Sequence, residues 1–378
     1  MQKIETIIIG GGISGMACGK TLHEHRKKFL LLTKEMGGRM LTSQSHKVNY
    51  GASYITEDYK NIWPYMGGGK RIKISDCFFL NWKKYSNFYC LKTLINLPQL
   101  IRLYFIAMDF RRRLLRLRKE GLYKSQKAIL TSDPILTKYT KESAKDFVTK
   151  YNLNDLNNVF FGPLFNSTGF VEYDKCNSFA YLNNLMAVFC KTYVADHSRC
   201  CKLLTNGWSE KIRIATVNGL QKKKNGYLIA TSQGIYFANN VVLALPYKNA
   251  QKFCNVPKPL HNVPVYVFEV SGKRKQIYEG KPVVFFQPKK HEITILWKQE
   301  TGSDVIFSKT SNPKLENYYD SHKVIKKIYW PTACVLSGKN WYEQDLGDGL
   351  YLASDYNICG LEDAFITGVY AANRIIDS

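Results

Sequence analysis

The stretch "TIIIGGGISGMACGKTL", Thr6 to Leu22, runs from three isoleucines into three glycines and then into an apolar helical spacing. An apolar β-branched run that stops at glycine predicts a buried strand and a tight turn, followed by a helix over about Ser14 to His25. Gly10, Gly12 and Gly15 fit the pattern G-x-G-x-x-G. The first glycine allows the strand-to-helix turn, the second lets backbone approach a pyrophosphate, and the third lets helix pack on strand. Ile13 and Ser14 then open the helix, where free N–H groups and the positive dipole end favour phosphate. A dinucleotide site is therefore expected at this end of the chain.

"FLLLT" (Phe29–Thr33) reads as the next buried parallel strand and completes a βαβ unit. In such units an acidic residue near the end of the second strand meets the ribose hydroxyls. Here Thr33 and Glu35 are the candidates, and Glu35 reads equally as a solvated loop charge.

The rest of the chain bounds the answer. Its 378 residues, 45% hydrophobic, suffice for two or three domains. No run of 18 apolar residues predicts a membrane span, and Met1 to Glu5 lack a signal-peptide layout. Ten scattered cysteines without a CxxC pair argue against zinc sites and disulfide frameworks. A reducing, cytoplasmic setting is the simplest expectation. The net charge of +24 attracts anionic partners, but no nucleic-acid signature accompanies it and no nucleic acid is expected. A lysine-rich composition without a role is the plainer reading.

Leu100 to Tyr123 carries apolar residues at helical spacing, with Arg102, Arg111, Arg112, Arg113, Arg116, Arg118 and Lys119 between them. A core-packed helix with a solvated basic face is one reading; a helix resting on an anionic membrane surface is the other. Residues 141–196 read as mainly helical, and Gly226–Pro246 and 263–310 as strands.

Two further motifs change the reading of the glycine loop. "MGGRM" (Met36–Met40) follows the second strand, and "NYGASYI" (Asn49–Ile55) comes soon after. Together they resemble the flavin-containing amine oxidase superfamily, which includes renalase-like proteins, protoporphyrinogen oxidases and carotenoid desaturases. The resemblance implies FAD as cofactor, with Gly38, Arg39 and Met40 in the first piece and Gly51, Ala52, Ser53 and Tyr54 in the second. Arg39 would neutralise the pyrophosphate, a task suited to a permanent forked cation. "GLYLASDYNICGLEDAFITGVYAANRI" (Gly349–Ile375) resembles the closing motif of the same superfamily. That likeness implies Asp355 at the ribityl chain, with Gly360, Leu361 and Ala364 at the start of a helix aimed at the flavin.

The implied fold is α/β: a discontinuous Rossmann-like FAD-binding domain (1–75, 200–250, 340–378) and an α+β substrate domain (76–199, 251–339). The second domain would hold a mixed sheet and a helical insertion. The implied reaction removes a hydride equivalent, through flavin N5, from a small-molecule substrate that is an amine or an apolar unsaturated compound. A desaturase or isomerase of a lipid-like substrate, or a non-catalytic nucleotide-binding protein, are the alternatives.

Departures from the pattern motivate them. Asn49 replaces an acid, Ser354 and Asp363 stand where glycine is usual, and the lysine often held near N5 is missing. Lys298 is a candidate substitute, against the plainer reading of a solvated strand-end lysine. Trp341 and Tyr342 are candidates for pocket aromatics, against simple packing. The sequence leaves the oligomeric state open.

Overall fold

The structure, a computed structural model, describes residues 2–45, 47–81, 84–336 and 340–378. Its first sheet has seven strands, in the order Ile212–Ile214, Phe29–Met36, Gln2–Gly11, Gly234–Leu243, Gly226–Thr231, Val217–Lys223. The seventh, Leu350–Leu352, pairs in parallel with the far end of Gly234–Leu243.

The strand Gln2–Gly11 runs parallel to both its neighbours, with Ile7, Ile8 and Ile9 opposite Leu30, Leu31 and Leu32 on one side. Alternation splits these residues between two cores. Ile7, Ile9, Leu30 and Leu32 face one layer. Ile8, Leu31 and Val242 meet Cys18, Leu22, Ala371 and Ala372 of two helices on the other. A strand buried on both faces needs the continuous apolar run that these segments carry.

Those two helices, Ile13–Glu24 and Leu361–Ile376, touch at their backbones. A Cβ on Gly368 would lie 2.0 Å from the Ser14 carbonyl oxygen, so only glycine fits. This contact brings the first and last helices of the chain against the same sheet.

A second seven-stranded sheet is built on the long antiparallel pair His261–Arg274 and Tyr319–Leu336. It continues through Asp304–Ser308, Ile293–Lys298 and Val283–Phe286 to Cys77–Asn81, which joins in parallel, and Lys84–Ser86. One face, with Val265, Val267, Phe285 and Phe307, packs toward a layer of helices between Leu97 and Phe189. The opposite face, with Phe268, Val284, Phe286 and Ile306, is covered by Tyr278, Leu315, Tyr318 and Tyr319.

The mixed α/β architecture expected from the sequence is present, including the helical insertion. Two local expectations change. The helix read over Leu100 to Tyr123 spans Leu97–Glu120, and a separate short helix, Leu91–Ile95, precedes it across a break at Asn96. Within 141–196, Thr192–Val194 is a strand, held between Tyr54–Thr56 and Arg71–Ile72.

Candidate cofactor and substrate site

The glycine turn is built by exclusion. Gly10 has φ +120°, and a Cβ there would lie 2.1 Å from the Ala244 carbonyl oxygen. A Cβ on Gly15 would lie 2.0 Å from the carbonyl oxygen of Gly10. Gly12 differs: a Cβ there would meet nothing within 4 Å, because this residue faces a cavity of about 1480 Å³. Gly12 precedes the helix with no side-chain cap, so the first amides that line the cavity, those of Ile13 and Ser14, are open to a ligand.

A second turn folds back onto the first. Gly37 N–H donates to the Gly11 carbonyl (2.8 Å), and Gly38, at φ +55°, would bring a Cβ within 3.2 Å of the Gly12 Cα. Thr33 is committed to this loop. Its hydroxyl accepts from Gly11 N–H (3.0 Å) and donates to the Glu35 carbonyl (2.6 Å). Glu35 is exposed along the cavity wall.

Arg39 reaches across to the other end of the chain. Its Nη2 lies 2.5 Å from Asp355 Oδ1, and its Nη1 donates to the Ala333 carbonyl (3.0 Å). Burial opposes the guanidinium's charge, but Asp355 more than offsets this and holds its pKa above the usual value. Ser354, in place of glycine, donates its hydroxyl to the same Asp355 oxygen (3.2 Å). Beside this pair the Cys334 and Cys359 sulfurs are 3.0 Å apart. The Cys359 contact and burial push the Cys334 thiol up, so it stays protonated.

The segment from Asn49 to Tyr54 is pinned from several sides. A Cβ on Gly51 would sit 1.7 Å from the Arg39 carbonyl oxygen, and Ser53 donates its hydroxyl to the Gly51 carbonyl (2.8 Å). Asn49, where an acid was expected, donates Nδ2–H to the Ala195 carbonyl (2.9 Å). His197 Nε2 lies 2.6 Å from the Ala52 carbonyl oxygen. Met40 is buried against Ile13 and Met16. Gly360, at φ +154°, precedes Leu361, and Ala364 lies one helical turn on. Of all the residues expected at the cofactor, Gly15 alone is not part of the cavity lining.

Away from the glycines the cavity becomes an apolar chamber. Val265, Val267, Phe285, Ile295, Trp297 and Phe307 form its sheet wall, facing Leu164 and Val188 on the helical side. Its polar groups are already engaged: Ser167 donates to the Thr294 carbonyl (2.6 Å) and Asn183 to the Cys359 carbonyl (3.1 Å). Among the described lining residues the carboxylates are Glu35 and Asp355 at the glycine end and Glu57, which faces Arg111 at 3.9 Å.

The three residues considered for catalysis lie elsewhere, which corrects that expectation. Lys298 is at the end of its strand, 3.7 Å from Asp304 and outside the lining; the neighbouring Trp297 points inward instead. Trp341 packs edge-on against Phe179 in the helical core, ring centres 5.7 Å apart. Tyr342 is buried beside Tyr356. Sequence reasoning missed Trp297, Phe307 and Trp330, which also line the cavity.

The supposed basic face of Leu97–Glu120 is also largely neutralised within the fold. Arg118 is 2% exposed, with Nη2 2.8 Å from Asp363 Oδ2 and Nη1 3.3 Å from Asp58 Oδ2. Arg113 and Arg116 converge on buried Asp133 at 3.0 and 2.7 Å. The unexpected Asp363 is thus the acceptor for a buried arginine. Next to it, Glu362 accepts the backbone N–H groups of Asn61 (2.9 Å) and Ile62 (3.0 Å). These bonds set the angle at which the closing helix meets the cavity.

Residues 8–67 match a family model described as a NAD(P)-binding Rossmann-like domain. Flavin-containing amine oxidase B of Bos taurus is 36% identical over 66 residues, 16% of this chain and 13% of that protein. The Homo sapiens counterpart is 39% identical over 59 residues, covering 14% and 11%. The chain thus matches only a small part of the length of these relatives.

Solved structures align along the whole chain. A double mutant of putrescine oxidase covers 100% of both chains with a TM-score of 0.68 and 13% identity. A fatty acid isomerase from P. acnes that produces CLA covers 98% of both, with a TM-score of 0.71 and 13% identity. Cyclohexylamine oxidase from Brevibacterium oxydans IH-35A covers 99% of this chain and 98% of its own, with a TM-score of 0.64 and 12% identity. At such identities the likeness is one of fold.

Proposed function

For a chain with the fold of the flavin-containing amine oxidase superfamily, we propose an FAD-dependent oxidoreductase whose substrate is apolar and unsaturated. The cofactor is FAD, in keeping with the Rossmann-like domain, the flavin-containing relatives and the fold. The open Gly12 cradle and the uncapped helix start fit it, since a side chain at Gly12 would fill space that nothing else claims. When bound, FAD supplies a two-electron acceptor for a hydride equivalent.

The protein's own residues then have defined tasks. The amides of Ile13 and Ser14 and the guanidinium of Arg39 hold the pyrophosphate. Arg39 has five donors, and its bonds to Asp355 and Ala333 leave others free. Glu35 accepts from ribose hydroxyls and Asp355 from the ribityl chain. The start of Leu361–Ile376, at the cavity lining, would offer a positive dipole end to a reduced, anionic ring. The apolar chamber orients the substrate and excludes water.

The chamber's lining carries the choice of substrate. A buried ammonium without a carboxylate partner costs several kcal/mol, and the chamber wall offers hydrocarbon and aromatic surface instead. The test is anaerobic mixing of the FAD-loaded protein with a polyunsaturated fatty acid or with a diamine. Bleaching of the flavin bands by the unsaturated compound supports the proposal; bleaching by the diamine alone overturns it. A redox-neutral isomerisation on the same substrate is a second reading, favoured by the apolar sheet wall, where Trp297 and not Lys298 lines the chamber. It would move a double bond, seen as new ultraviolet absorbance of a conjugated product of unchanged mass, without net bleaching.

The cradle has its own check. Gly12→Ala should leave thermal stability unchanged while weakening FAD binding at least about tenfold (~1.4 kcal/mol), because the methyl projects toward the phosphates and touches no protein atom. Gly15→Ala should instead lower stability, since its methyl meets backbone. Fluorescence titration with FAD and thermal melts of the two variants separate these outcomes.

A further inference from the structure

We propose that the surface formed by Tyr89 to Phe105 docks on an anionic lipid bilayer and opens the substrate chamber onto it. The proposal deepens the apolar-substrate reading and rests on it for the nature of what enters. Tyr89, Leu91, Leu94, Ile95 and Phe105 are each 66–71% exposed, and Leu97, Ile101 and Tyr104 are exposed as well. Apart from Tyr89, which precedes them, they lie on the short helix Leu91–Ile95 and the first turns of Leu97–Glu120, separated by the break at Asn96. A contiguous exposed patch of large apolar side chains marks an interaction site.

Charge says which partner. Residues 67–108 hold seven Lys and Arg and a single acid, Asp76, within a chain of net charge +24. Lys70, Arg71, Lys73, Lys92 and Arg102 are exposed, and none pairs with a carboxylate among the described residues. This contrasts with the far end of the same long helix, where arginines are consumed by Asp109, Asp133 and Asp363. Apolar side chains ringed by free cations match the interface of an anionic bilayer, in which the rings and leucines enter the acyl boundary and the cations meet phosphates. No described helix is long and apolar enough to cross a membrane, so this contact would be with one leaflet.

Position adds the link to function. Tyr89, Arg71, Lys73 and Phe189 belong both to this surface region and to the cavity lining, and the Tyr104 ring is 6.2 Å from that of Phe189. An apolar molecule leaving the leaflet at this point would reach the chamber without crossing water.

The test is flotation of the full FAD-loaded chain with vesicles of phosphatidylcholine alone or mixed with phosphatidylserine. Binding to the anionic vesicles, weakened by salt, is expected. Leu94→Glu with Phe105→Glu should reduce it at least about tenfold, as should Lys92→Glu with Arg102→Glu. Ile235→Glu, at an exposed apolar site on the first sheet, should bind as wild type. Melting and the flavin spectrum of each variant establish that the fold and cofactor site persist.

Absence of flotation at low salt would overturn the proposal, as would unchanged binding by the Leu94→Glu, Phe105→Glu protein. Patch variants that convert a dimer to a monomer without altering flotation would assign the surface to a second copy of the chain instead. Flotation is read without substrate, so failure of the substrate assignment leaves this result standing, and the reverse.

Discussion

Replacing Arg118 with leucine is expected to cost about 3–5 kcal/mol, because it leaves buried carboxylates without their counter-charge. The guanidinium lies between Asp363 and Asp58, and all three side chains are at most 2% exposed. It also stacks over the Tyr59 ring, 5.0 Å from its centre. Burial raises the Asp363 pKa even with the arginine present, and the arginine lowers it only in part. Without that cation the folded state would bind protons more readily than the unfolded chain. The variant should therefore regain stability as pH falls more steeply than the wild type, in which the arginine restrains the same trend at Asp363. Urea denaturation across pH measures both effects. Adding Asp363→Asn to Arg118→Leu should recover part of the loss, since one buried charge goes with its partner. An Arg118→Leu protein as stable as wild type would remove this network from the account of the fold. Because Asp363 is in the first turn of the closing helix, weakened FAD binding should accompany the loss.

Arg118 also illustrates what was legible in advance. In sequence it sits among other arginines at helical spacing, and its acceptors are 60 and 245 residues away. Nothing local distinguishes a solvated arginine from one that bridges two distant carboxylates. The nucleotide cradle was legible for the opposite reason. Its requirement is steric and local: Gly10, Gly15 and Gly51 are the residues whose Cβ atoms would collide with backbone, and a motif records that directly.

The chamber was legible in composition but not in position. Along Val263–Val270 and Val283–Phe286 both alternating sets are apolar, so period-two patterning cannot say which set faces the cavity. Lys298 failed on the same point. One residue of register separates it from Trp297, which lines the chamber. Trp341 and Tyr342 precede the closing strand as expected, yet proximity in sequence did not orient their rings, which went to two different cores.

Acidification should loosen the cofactor site through His197. Its side chain is 1% exposed, on the helix His197–Thr205, and holds the Ala52 carbonyl at 2.6 Å. Burial lowers its pKa from the usual 6.5 to about 4, with the Ala52 hydrogen bond and Asp196 opposing only in part. The imidazole is therefore neutral in the folded protein and donates Nε2–H to that carbonyl. Between those two values the unfolded chain binds the proton and the folded chain does not, so stability rises with pH through this window. From pH 6.5 down to about 4 the loss should approach 3 kcal/mol, since each pH unit in that window costs about 1.4 kcal/mol. Buried Glu362 and Asp363 have raised pKa values and act with the opposite sign. The quantity to measure is thus the difference between wild type and His197→Gln, which keeps an N–H donor but cannot titrate. Wild type should lose stability relative to the variant as pH falls, and should release FAD, seen as recovered flavin fluorescence, at a higher pH. The coupling follows from position: Ala52 is in the Gly51–Tyr54 segment that lines the cavity, so a charged His197 displaces the wall against which the cofactor rests. Parallel pH profiles for the two proteins would show that this histidine does not set the acid limit of the site.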